Sequence, residues 1–199
     1  MKKFNFITII ILFLSFDLFA TETKKCETSL NCKLGEKDFF IHFESPTHSC
    51  EEDDMDLVFE VNSVKSKLGV KKGWLDSLSD VGNGKSICKV VGQKSYENSP
   101  VFSVGKDQIL IFYWENGRPG FNWVSLALVD IKQGKLLDFK QRLGELKEDT
   151  SAILTTSKGF KIRLVKEYLK EVKCDCSAAA IDEWLEISVK NGKIKTRWP

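Results

Sequence analysis

Few residues in this chain have the types and spacing that catalysis needs. The only histidines are His42 and His48. Neither lies in a nucleophile elbow, a phosphate-binding glycine loop or an HExxH pair. His42 alternates with apolar neighbours in Phe40-Ile41-His42-Phe43, the setting of a sheet or core histidine rather than of a free general base. A catalytic set would have to be assembled from residues distant in the chain, as Ser–His–Asp sites can be. No catalytic residue is assigned, and a hydrolase with such a scattered site is the alternative reading.

Other groupings point to binding. Residues 44–60 hold seven acids and no Lys or Arg, with Glu51, Glu52, Asp53 and Asp54 consecutive. Hard oxygen ligands suit Ca²⁺, but the ligand spacing and glycine of an EF-hand are missing, so no metal is assigned. The run reads as a solvated acidic loop or as a docking patch for a basic partner, where opposed charge speeds association. Arg118 lies in a reversal stiffened by Pro119 and flanking glycines, with Phe121 and Trp123 just behind it. Arg and aromatics on a rigid tip are the composition of a binding hot spot, and such a tip loses little entropy on association. The plainer counterpart is a turn backed by core aromatics. Residues 158–173 carry six Lys or Arg against Glu167 and Glu171, a solvated face or a complement to the acidic loop.

Strands must position these groups. Residues 108–141 are the longest stretch of strand-forming types, read as three antiparallel strands joined by Gly-containing turns at 115–120 and 132–135. The first two strands are apolar nearly throughout, as in strands covered on both faces or lying at an oligomer contact. Residues 38–44 alternate with Phe39, Ile41 and Phe43 on one face. Residues 57–64 alternate with Leu57, Phe59 and Val61 inward. Further strands are read at 87–91 and 102–104, and a hairpin joins 152–156 to 160–164. Asn191-Gly192 is the preferred two-residue hairpin turn. It sets Val189 opposite Ile194, Ile187 opposite Thr196, Leu185 opposite Trp198 and Glu186 opposite Arg197.

Residues 74–81 and 165–172 have apolar residues at helical spacing. Residues 21–37 read as a polar arm and 144–150 as a loop. Strand follows strand without the regular helices that a parallel sheet requires. The expected fold is mainly β: an antiparallel meander forming a sandwich or partly closed barrel, with one or two short helices.

Residues 1–20 have the pattern of a cleaved export signal. Lys2 and Lys3 precede an apolar run over 7–16, and Ala20 supplies the small residue before the cut. The run ends at Asp17, short of the ~20 apolar residues of a membrane span. Residues 21–199 are then one β-rich domain with no transmembrane segment, periplasmic or secreted. Loss of the leader takes the formal charge from +2 to +1. A nearly neutral chain gives no electrostatic case for nucleic acid.

The six cysteines, Cys26, Cys32, Cys50, Cys88, Cys174 and Cys176, suit an oxidising compartment. Local pairing predicts Cys26–Cys32 and Cys50–Cys88. A bridge across the single residue between Cys174 and Cys176 would be strained. Either that pair is reducible, or each sulfur reaches back to an N-terminal cysteine. The redox signature is C-x-x-C at a helix start in a βαβ setting, so structural cystine is expected. The expected function is an exported cell-envelope binding protein, an inhibitor or immunity-type partner of another protein, with no cofactor.

Overall fold

Alternating and apolar stretches become thirteen antiparallel strands in the residues that the computed structural model describes: 24–45, 55–71, 73, 75, 87–90, 99–116, 121–147, 153–166 and 181–199. The first sheet holds β1 (Lys24–Leu34), β2 (Lys37–Ser45), β3 (Asp56–Val61), β4 (Val64–Lys71) and β5 (Cys88–Val90), in the order β4-β3-β2-β1-β5. The second holds β6 (Val101–Ser103), β7 (Gln108–Asn116), β8 (Phe121–Asp130), β9 (Lys135–Lys147), β10 (Ile153–Thr156), β11 (Gly159–Lys166), β12 (Ile181–Lys190) and β13 (Lys193–Arg197). Its order is β13-β12-β11-β9-β8-β7-β6, with β10 paired beside β11. Among the described residues neither sheet closes on itself, which fits a sandwich and not a closed barrel.

The two central strands explain the architecture. One face of β7 and β8, carrying Ile109, Ile111, Tyr113, Ala127 and Val129, packs against Phe39, Ile41, Phe43, Leu57 and Phe59 of the first sheet. Their other face carries Leu110, Phe112, Trp114, Val124, Leu126 and Leu128. It packs against Ile162, Leu164, Leu185, Ile187 and Ile194 of β11–β13. Strands covered on both sides need apolar residues at odd and even positions alike. That need accounts for the unbroken run Ile109–Trp114. The second core is locked by Phe102, Phe112 and Phe160, whose ring centroids lie 5.1, 5.7 and 5.9 Å apart.

The final hairpin has the expected register, with Val189 opposite Ile194, Ile187 opposite Thr196 and Glu186 opposite Arg197. Trp198 lies beyond the end of β13 and is half-buried against the second core. The 153–166 hairpin also forms, around Ser157-Lys158. Gly159 makes it possible: a Cβ there would lie 2.1 Å from the Ile187 carbonyl oxygen, and its φ is +144°.

Several sequence expectations are overturned. Residues 24–34 are a strand rather than a polar arm, because β2 on one side and β5 on the other pair their backbone. The strand read over 57–64 breaks at Asn62-Ser63, whose φ values of 50° and 63° make a tight reversal into β4. β9 continues through Lys147, where a loop was expected from 144. No helix occurs among the described residues. Val165 belongs to β11, while the rest of the 165–172 stretch, and 74–81 apart from Leu75, lie outside them.

The disulfide joins Cys32 to Cys88, not Cys26 to Cys32 or Cys50 to Cys88. Antiparallel pairing sets Cys32 directly opposite Cys88. Cys26 lies six positions earlier in the same strand, and at ~3.3 Å per residue that separation is far beyond the reach of a cystine.

Candidate functional site

The reversal between β7 and β8 has an organised base. Glu115 of β7 lies opposite Trp123 of β8, and Trp123 lies opposite Glu145 of β9. Residues directly opposite share a sheet face, so these three form one row across three strands. Both carboxylates are buried and Trp123 is half-buried. The next row on that face is Tyr113 and Ser125. Burial pushes the Tyr113 phenol well above its ordinary value.

A bulge closes the base. Residues 141–143 of β9 face Ser125 alone, and Arg142 takes a φ of 50°. The Arg142 backbone N–H donates to Ser125 Oγ at 2.9 Å. The Ser125 hydroxyl donates to Glu115 Oε1 at 2.5 Å, and Arg142 Nε donates to Glu115 Oε2 at 3.1 Å. One buried carboxylate thereby fixes both the backbone and the side chain of the bulge. A left-handed non-glycine residue costs about 1–2 kcal/mol. It persists where its surroundings over-determine it, often at working sites. The Arg142 side chain is nevertheless 56% exposed, so its guanidinium is held in place yet open to solvent.

Of the residues singled out in the sequence, Arg118, Glu51, Glu52, Asp53 and Asp54 lie outside the described residues. Phe121 begins β8 opposite Lys147, two residues from Trp123. Trp123 is thus the candidate whose surroundings are defined. Its neighbours Glu115, Ser125, Arg142 and Glu145 were not singled out. Glu115 was read as the first residue of the 115–120 turn, while Arg142 and Glu145 sat in a stretch too polar to read as strand. The signal available was Gly144 beside polar residues inside a strand-like run, a common mark of a bulge.

His42 is wholly buried on β2, and His48 lies outside the described residues. His42 Nε2 donates to Glu44 Oε1 at 2.8 Å, and Lys65 Nζ donates to the same oxygen at 2.5 Å. Burial alone would raise the Glu44 pKa, but hydrogen bonds from Lys65 and His42 outweigh it and hold the carboxyl at about 2. Lys65 is shifted upward by the same bond. This chain of contacts secures β2 to β4 by charge.

The basic run of residues 158–173 is described as far as Lys166. Lys158, Lys161 and Arg163 lie on the β10–β11 hairpin, next to Lys190, Lys195 and Arg197 of the last hairpin. A cleft of about 700 Å³ opens among Lys158, Lys161, Lys190, Lys195 and Arg197. Lys161 and Arg197 hold the Glu186 carboxyl at about 2 through their hydrogen bonds. Among the described residues no group of three His, Cys, Asp or Glu side chains is placed to hold a metal ion. No family model matches this chain, and neither a curated protein nor a solved structure matches it.

Proposed function

We propose that this chain is an exported protein of the cell envelope, periplasmic or secreted, that works by binding another protein. Its contact surface is centred on the base of the β7–β8 reversal. The observation that carries this reading is Arg142: a guanidinium held by a buried carboxylate, one cross-strand step from the half-buried Trp123, and still exposed. A preorganised arginine beside a large aromatic binds with little loss of side-chain freedom. In the sequence Arg118 lies between β7 and β8, and Phe121 begins β8. Export is supported by the leader pattern of residues 1–20 and by the Cys32–Cys88 disulfide, which suits an oxidising compartment. Among the described residues, no helix is long and apolar enough to cross a membrane. An inhibitor or immunity-type partner of an envelope enzyme fits these features.

Affinity capture from envelope extract tests the proposal. The wild-type chain should recover a specific protein that Trp123→Ala, still folded, fails to recover. Equal recovery by both chains contradicts this surface.

One arrangement favours the second reading, a hydrolase. Glu115 and Glu145 flank Trp123 from strands two apart, so their backbones are about 9–10 Å from each other. A pair of carboxyls can act as acid and base on a glycosidic bond. Turnover of a chromogenic glycoside that disappears in Glu145→Gln would establish this reading over the first.

A further inference from the structure

We propose that the cleft on the outer face of β11–β13 binds a phosphate-bearing saccharide. Alternation creates that face. Ile162, Leu185, Ile187 and Ile194 point into the core, so Lys161, Glu186, Ser188 and Lys195 point out. The cleft has a volume of about 700 Å³, within the ~300–1,000 Å³ of small-ligand sites. Five lining residues are cations, and Glu186 is the one acid.

The charge is uneven. Lys161 and Arg197 are both engaged by Glu186, at 2.9 and 2.5 Å. Lys158, Lys190 and Lys195 line the same cleft with no carboxylate partner among the described residues. They surround Ser188, which lies opposite Lys195, two residues from Lys190, and against the backbone of Gly159, the neighbour of Lys158. Like charges gathered in this way repel, and a bound dianion relieves the repulsion. Lysine binds phosphate as a compact point charge.

The remaining lining suits a sugar. Ser157 and Ser188 offer hydroxyls that both donate and accept. A cleft of this volume favours a ligand that enters over a flat charged surface such as a membrane. The site is separate from the protein-contact surface: β11 meets the Glu145 row at Val165, and the cleft lies at its other end, beside Phe160.

Titration of the full exported chain with glucose 6-phosphate, glucose and inorganic phosphate, followed by amide NMR, tests the proposal. Glucose 6-phosphate should shift residues 158, 188, 190 and 195, and bind at least tenfold tighter than either of the other probes. The double variant Lys190→Ser/Lys195→Ser should lose at least tenfold in affinity at an unchanged melting temperature. If that variant melts early, Lys190→Gln/Lys195→Gln is read in its place. Equal binding of inorganic phosphate would leave only an anion site and overturn the proposal. So would undiminished binding by the variant, or binding confined to anionic lipid vesicles.

Discussion

Single residues decide how the buried charge behaves. Glu44 is held at about 2 in the folded chain, against an ordinary value of 4.5. A depressed carboxyl stabilises the fold fully above 4.5, and that contribution is lost as pH falls toward 2. Glu44→Gln should therefore be less stable than wild type at neutral pH, with the gap closing between pH 4.5 and 2. Urea unfolding across that range measures it, and a gap constant with pH would show that the shift is absent. Ser125 both accepts from the Arg142 backbone and donates to Glu115. Ser125→Ala should cost about 1–3 kcal/mol, because it leaves a buried carboxylate oxygen short of a donor. A loss within a few tenths of a kcal/mol would mean that the bulge holds without this network.

Elements were legible where backbone chemistry alone sets them. Asn191-Gly192 dictated the last hairpin down to the Glu186–Arg197 pair, because both turn positions require positive φ. The same requirement governs Asn62-Ser63, but serine is a poor signal for it, so the strand read over 57–64 ran through the reversal. Ser63→Gly should then stabilise the chain by up to about 1 kcal/mol, while Ser63→Val should destabilise it. Thermal melts that rank the two equally would contradict a left-handed conformation at this position. β1 was hidden for another reason. Lys24–Leu34 is mostly polar, and its strand character comes from neighbours on both sides that no local pattern reveals. The β9 bulge breaks alternation at residues 141–143, so the polar residues beyond it resembled a loop.

At the scale of the molecule, two-sided burial of β7 and β8 was visible as an unbroken apolar run. Which strands supply the two covers was not, since that depends on how the second sheet packs against itself. The same gap hid the cystine, because only the β1–β5 pairing brings Cys32 and Cys88 together. With that pair closed, Cys26, Cys50, Cys174 and Cys176 remain, and a bridge between the last two would be strained. Cys174 and Cys176 should each bond to Cys26 or Cys50. Non-reducing peptide mapping should find the 174–176 segment cross-linked to N-terminal peptides. A Cys174–Cys176 bridge, or free thiols there, would contradict it.

The central claim is that protein binding is anchored at the base of the β7–β8 reversal. The most direct measurement is the dissociation rate of the captured partner from wild type, from Arg118→Ala and from Arg142→Gln. Circular dichroism would confirm that each variant is folded. An anchor worth about 2 kcal/mol or more gives dissociation at least ~30-fold faster, with little dependence on salt. Replacing Glu51, Glu52, Asp53 and Asp54 with Ser should instead slow association, an effect that fades as salt screens exposed charge beyond ~8 Å. The account predicts the faster dissociation in both arginine variants. Dissociation at the wild-type rate in both would contradict it.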